Sequence, residues 1–203
     1  MKLHGLYAIT PDRVEAARVA RAIEGGITAL QYRDKTATPE SMLRRAKELV
    51  ALCRRKNVLF IVNDDVELAI ACEADGVHLG RDDGEIAAAR KKMKRKLLGV
   101  SCYDSLAAAR DAAAAGADYV AFGSVFPSPT KPGARRAPLS LFGEARALGV
   151  PLVAIGGVTL ENAPQLLAAG ADAVAVISDL FDAPDVAARA RAYARLFAHE
   201  VAQ

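Results

Sequence analysis

The chain has no tryptophan, 5% aromatic residues, three histidines and three cysteines among its 203 residues. Each shortage excludes something. Cys53, Cys72 and Cys102 form no Cys-x-x-Cys pair and show no metal-ligand spacing. An odd thiol count without a signal peptide points to reduced cysteines in a cytoplasmic protein rather than a disulfide framework. Cys53 and Cys72 fall in helical patterns and are expected as small core residues. The N-terminal residues lack a hydrophobic signal region, and no apolar run approaches the roughly 20 residues of a membrane helix. The net charge of +3 is too small to imply a nucleic-acid partner. The densest basic run, from Arg90 to Lys96, has no interleaved aromatics and reads as a solvated helix end whose cations complement the helix dipole. His4, His78 and His199 are scattered, so there is no Ser-His-Asp set and no histidine cluster; His78, inside an apolar run, reads as a packed core histidine. A G-x-G-x-x-G fingerprint after the first strand is also missing, because Pro11-Asp12-Arg13 stands there. That argues against an open dinucleotide-binding sheet.

What is present is an alternation. Short apolar runs rich in β-branched residues lie at 6–10, 28–33, 58–63, 76–80, 97–101, 119–122, 152–156 and 173–177, and each predicts a buried strand. Alanine-rich amphipathic stretches lie between them, and alanine is the best helix former. The first ends at Glu24 before Gly25-Gly26; the next opens at Thr38-Pro39; the others cover 66–73, 85–92, 105–115, 139–148, 160–169 and 184–198. Segments Ala115-Gly116-Ala117-Asp118 and Ala169-Gly170-Ala171-Asp172 echo each other, with Ala74-Asp75-Gly76 as a looser copy, each where a helix hands over to a strand. Eight strand–helix units of about 25 residues, with no break marking a second domain, predict a single-domain α/β protein, a closed (β/α)8 TIM barrel over residues 1–203.

In such a barrel the loops after the strands form the active face. The second strand delivers Gln31, Arg33 and Lys35, which alternation places on one side as an amide and two cations suited to a diphosphate; a surface salt-bridge cluster with Asp34 is the plainer alternative. The third strand ends in Asn63-Asp64-Asp65 and the fourth is followed by Arg81-Asp82-Asp83. Carboxylates beside a polyanion clamp would repel the ligand unless a hard divalent cation such as Mg²⁺ intervened. Helix capping explains Asp65 or Asp83 taken singly, but Asp64 less readily. The fifth strand supplies Ser101. The sixth opens into a stiff proline-rich loop with Ser124, Ser128, Pro129, Thr130 and Lys131, suited to an oxygen-rich anion, though a solvated proline-rich turn would read the same way. Strands seven and eight end in Ile155-Gly156-Gly157 and Ile177-Ser178, where backbone N–H groups can hold a phosphate and glycine permits close approach. Two anion sites result, one diphosphate-like and metal-assisted, one monophosphate-like.

The motifs Gln31-Tyr32-Arg33-Asp34-Lys35, Asn63-Asp64, Val77-His78-Leu79-Gly80 with Asp83, Gly99-Val100-Ser101, Phe126 to Lys131 and Ala154-Ile155-Gly156-Gly157 resemble those of the thiamine-phosphate synthase family, nearly the whole chain through and in order. The resemblance implies a transferase that joins a hydroxymethylpyrimidine diphosphate to a thiazole phosphate, releasing pyrophosphate. It implies that Gln31, Arg33, Lys35, Asn63 and Lys131 hold the diphosphate substrate, with Tyr32 and Asp34 in the same motif. It implies Asp64 and Asp83 as Mg²⁺ ligands; Asp83 rather than Asp82 rests on the resemblance alone. Ser101 would sit by the diphosphate or the pyrimidine. Ser128, Pro129 and Thr130, with the Gly156-Gly157 and Ile177-Ser178 backbone, would hold the thiazole phosphate. Arg33, Lys35, Lys131 and Ser101 would be the catalytic set. The related thiazole tautomerase, an isomerase, carries a histidine two residues after the fifth-strand serine, where this chain has Tyr103. A non-catalytic phosphate-ligand sensor is a further alternative. The implied partners are small molecules, with no nucleic acid and no membrane, and a homo-oligomer is left open.

Overall fold

The alternation is realised as eight parallel strands hydrogen-bonded in chain order, the eighth closing on the first. A computed structural model describes residues 3–80, 84–127 and 135–198. The strands are β1 Gly5–Ile9, β2 Ala29–Tyr32, β3 Leu59–Asn63, β4 Gly76–Leu79, β5 Leu97–Tyr103, β6 Tyr119–Phe122, β7 Leu152–Ile155 and β8 Ala173–Val176. The helices are α1 Ala16–Glu24, α2 Pro39–Arg54, α3 Val66–Ala71, α4 Ile86–Met93, α5 Leu106–Ala114, α6 Ser140–Ala145, α7 Ala163–Ala169, α8 Ser178–Phe181 and α9 Val186–Ala198. Most bounds fall within two residues of expectation. Thr38 caps α2 as foreseen, its side chain accepting from the Ser41 N–H, with proline at the helix start. Three differences stand out. The stretch expected as one helix over 139–148 is α6 followed by a 3₁₀ turn, Arg146–Leu148. β5 runs two residues further, with a register shift between Ser101 and Tyr103 against β6. The short α8 was not expected; it is pinned from outside, Asp179 accepting from Tyr193 Oη at 2.6 Å and pairing with Arg189, both on α9.

Alternation along each strand divides the core into two layers. Leu30, Tyr32, Phe60, Val62, Val77, Leu79, Val120 and Phe122 face the helices. Tyr7, Ile9, Ala29, Leu59, Ile61, Tyr119, Ala121, Val153, Ala173 and Ala175 fill the barrel. Large and small interior residues complement one another: a Cβ on Gly99 would lie 2.0 Å from Tyr119 Cζ, so only glycine lets the Tyr119 ring cross the barrel there. All three cysteines are free and buried. Cys102 belongs to the helix-facing layer, with its thiol on the Val100 carbonyl.

The repeated Ala-Asp segments latch the N-terminal face. Asp75, Asp118 and Asp172 each stand just before an even-numbered strand and accept a backbone N–H of the preceding odd strand: Phe60 at 2.8 Å, Leu98 at 2.7 Å and Leu152 at 2.8 Å. Their own N–H groups donate back to the carbonyls of those same residues. Arg90 and Arg146 then pair with Asp118 and Asp172. The basic run is therefore not simply a solvated helix end. Arg90 donates to Gly116 O and Lys96 O, and Lys96 to Ala74 O, so its cations tie neighbouring loops together. Among the described residues no helix is long and apolar enough to cross a membrane.

Candidate active site

The carboxyl ends of the strands open onto the other face, where loops are free to carry chemistry. The floor of that mouth is polar. Gln31 Nε2 donates to Tyr7 Oη at 2.8 Å; Tyr7 Oη and Tyr119 Oη are 2.9 Å apart; Tyr119 Oη meets His78 Nδ1 at 3.0 Å; His78 Nε2 meets Ser101 Oγ at 2.8 Å. His78 is buried as expected, and both of its ring nitrogens have partners, one of them the expected site residue Ser101. Burial pushes the Tyr7 and Tyr119 phenols up, so both keep their protons at neutral pH. Tyr7 and Tyr119 were not foreseen. The period-2 pattern held the signal, because each lies two residues before an inward-facing residue, Ile9 and Ala121.

The β1–β2 rim gathers the cations, but not by strand alternation. β2 stops at Tyr32, and the residues beyond it belong to a loop built on Thr10 and Asp12. Thr10 Oγ1 accepts the Arg33 N–H and donates to the Arg33 carbonyl. Asp12 Oδ1 accepts from Arg33 Nη1 at 3.0 Å and from the Lys35 N–H at 2.8 Å. Arg33 is thus paired with Asp12, not with Asp34. The Asp34 carboxylate is turned into its own loop, accepting from the N–H groups of Arg13, Thr36 and Ala37. Its partial burial would raise its pKa, but these hydrogen bonds outweigh that and hold it below the ordinary carboxylate value. In this structure Asp34 staples its own loop. The Tyr32 side chain lies on the helix side, 2% exposed and stacked on Phe60.

At β3, Asn63 is in register with His78, on the inward side of the strand. Asp64 adopts the left-handed conformation at φ 64°, its N–H donating to the His78 carbonyl at 2.8 Å, which sets its carboxylate beyond the strand end. Asp65 is the plain cap of α3, accepting the Leu68 N–H. Asp82, Asp83, Ser128, Pro129, Thr130 and Lys131 lie outside the described residues.

The loop after β6 rests on the end of β7. Val125 and Phe126 donate to Ile155 O and Gly156 O. A Cβ on Gly156 would lie 2.4 Å from Ser124 Oγ, and one on Gly157 would lie 2.4 Å from the Pro127 carbonyl. Both glycines also have positive φ. They are required by this close approach of chain to chain, a demand the expectation of phosphate approach had not included. Ile177 closes the inner layer at the end of β8, and the exposed Ser178 opens α8.

A closed parallel barrel whose mouth carries an amide, a guanidinium, a carboxylate and a histidine-backed serine defines a (β/α)8-barrel enzyme. The family model described as thiamine monophosphate synthase matches residues 6–180. The chain is 58% identical to the thiamine-phosphate synthase of Chromobacterium violaceum over 201 residues, 97% of each chain, and 54% identical to that of Methylobacillus flagellatus over 200 residues, 96% of each. Among solved structures, the thiamine phosphate pyrophosphorylase of Pyrococcus furiosus superposes with a TM-score of 0.89 at 37% identity, covering 96% of both chains. The chain belongs to the thiamine monophosphate synthase family and is a transferase of thiamine biosynthesis.

Proposed function

We propose that this enzyme condenses 4-amino-2-methyl-5-hydroxymethylpyrimidine diphosphate with hydroxyethylthiazole phosphate, giving thiamine phosphate and pyrophosphate. The observation that carries the reading is the anchoring of the Arg33 guanidinium and the Lys35 backbone N–H on one carboxylate, Asp12, at a rim that also carries Asp64 and Ser101. A cation held in place before the ligand arrives, as the Arg33 guanidinium is, stabilises charge without reorganising during the reaction. The carbon–oxygen bond to the diphosphate breaks first and the diphosphate leaves with the electron pair. The pyrimidine methylene is left as a cation stabilised by the ring amine, and the thiazole nitrogen then attacks it. Arg33, Lys35 and Lys131 would hold the departing charge, with Gln31 and Asn63 orienting the pyrimidine diphosphate. Ser128, Pro129 and Thr130, with the Gly156-Gly157 and Ile177-Ser178 backbone, would hold the thiazole phosphate.

Asp64 is a hard oxygen donor at the strand end, of the type Mg²⁺ takes, and with Asp83 it would hold that ion. Bound there, Mg²⁺ would neutralise part of the leaving group's charge. No enzymic base is needed in this scheme. We place the reaction in the cytoplasm, in line with three unpaired cysteines.

Incubating the protein with both substrates, with and without Mg²⁺, tests the reading. Magnesium-dependent release of pyrophosphate together with thiamine phosphate is expected. Isomerisation of a thiazole phosphate without pyrophosphate would make the protein a tautomerase, and binding without turnover would make it a sensor.

A further inference from the structure

The chain of hydrogen bonds under Ser101 has a direction. An amide nitrogen can only donate, so Tyr7 Oη accepts from Gln31 Nε2 and its single proton goes to Tyr119 Oη. Tyr119 in turn donates to His78 Nδ1. A ring nitrogen that accepts carries no proton, so the neutral imidazole bears its proton on Nε2 and donates it to Ser101 Oγ. Three bonds lie between Gln31 and His78, and the amide and the two phenols supply one proton to each. A proton on Nδ1 would leave one phenol O–H without an acceptor where Tyr7 is 1% exposed and Tyr119 0%. Buried donors without partners are strongly disfavoured. Ser101, partly exposed at the mouth, therefore receives from below and has its own O–H left to donate outward.

We propose that Tyr7, Tyr119 and His78 are positioning residues that fix Ser101 as a hydrogen-bond donor toward an anionic oxygen at the mouth, and that the Gln31 amide sets the direction of the whole chain. Naming that oxygen as one of the departing diphosphate rests on the function proposed above; the direction of the chain does not. With a donor so aimed, the bond strengthens as negative charge grows on the leaving group, whereas a hydroxyl turned inward would present lone pairs and repel it. Gly99 is part of the device, since no other residue leaves room for the Tyr119 ring.

Two measurements decide the proposal. In ¹⁵N-histidine-labelled, ligand-free protein at neutral pH, the resonances lost in His78→Gln should show a protonated Nε2 and an unprotonated Nδ1, and Gln31→Glu, whose carboxylate only accepts, should move the proton to Nδ1. A doubly protonated ring or an Nδ1–H tautomer in the unsubstituted protein would overturn the chain's direction. In turnover assays, Tyr119→Phe should lower kcat about tenfold, the size of one net hydrogen bond, with little change in KM. In a Ser101→Ala background the same substitution should have little further effect. Equal losses in both backgrounds would show that Tyr119 does not act through Ser101. Tyr7→Phe, which breaks the same chain one member lower, repeats the cycle if Tyr119→Phe proves unstable. If the unsubstituted protein releases no pyrophosphate, the proposed function fails while the tautomer measurement still decides the direction of the chain.

Discussion

Asp12 Oδ1 lies 3.0 Å from Arg33 Nη1 and 2.8 Å from the Lys35 backbone nitrogen, so one carboxylate holds both ends of the cationic loop. The Arg33 side chain is 29% exposed and that of Asp12 37%, which makes the ion pair a solvent-screened one of modest stabilising value. Its effect lies in placement. Asp12→Ala is expected to raise KM for the pyrimidine diphosphate about tenfold, near the net value of one charge-assisted hydrogen bond, while the melting temperature changes little. Asp12→Asn, which keeps an acceptor oxygen, should lose less. Steady-state kinetics with varied diphosphate substrate check both, and unchanged KM in Asp12→Ala would remove Asp12 from the site.

Lys131→Ala and Asp64→Ala each remove a charge that the proposed reaction needs while the diphosphate departs. Either substitution should cut turnover by about 10²-fold or more, the scale of losing one preorganised partner. Asp64→Ala should also weaken the dependence on Mg²⁺. Pyrophosphate release across a magnesium titration measures this, and near-normal turnover in both variants would defeat the assigned roles.

The acidic latches on the opposite face predict loss of stability without loss of chemistry. Asp118→Ala would strip the Leu98 N–H of its acceptor and Arg90 of its ion-pair partner. Leaving a buried donor unmade costs about 1–3 kcal/mol, which in a chain of this size lowers the melting temperature by about 2–12 °C. Asp172→Ala, which frees Leu152 N–H and Arg146, should behave the same way. Thermal unfolding together with kcat at 25 °C separates the two quantities. A fall in kcat with no change in melting temperature would contradict the placement of these aspartates.

Buried thiols set an alkaline limit. Burial pushes Cys53, with a further contribution from the Asp75 charge, and Cys102 from 9.0 up to about 12. The unfolded chain therefore gives up these protons first as pH rises. Stability from this source is complete below pH 9 and declines between about pH 9 and 12. Urea unfolding at pH 8, 9.5 and 10.5 should show a falling free energy, and Cys102→Ala should make the fall shallower. Equal slopes in the two proteins would rule out the Cys102 contribution.

Much of the barrel could be read from the chain. The short apolar runs and the alanine-rich stretches between them place the strands within two residues, because burial on both faces of a parallel strand imposes an apolar run that few other structures need. The Ala-Asp repeats were visible too, but their meaning was not: a carboxylate that looks like turn chemistry is in fact the acceptor for a strand N–H about 15 to 20 residues earlier. Alternation failed past Tyr32, where the strand ends and loop hydrogen bonds take over the placing of Arg33 and Lys35. His78 reads as an ordinary packed histidine until the partners on both its nitrogens are seen.

Sequence alone determined the number of strand–helix units, their order, and which residues of chemical interest lie at strand ends. These are local properties, written in periodicity and in turn residues. Only the tertiary structure decided that Gln31 speaks to Ser101 through Tyr7, Tyr119 and His78. Two of those residues are 112 positions apart, and no local rule brings them within hydrogen-bond distance. Closing the barrel does so, because it turns one face of every strand inward and leaves the polar atoms there with only each other to satisfy them.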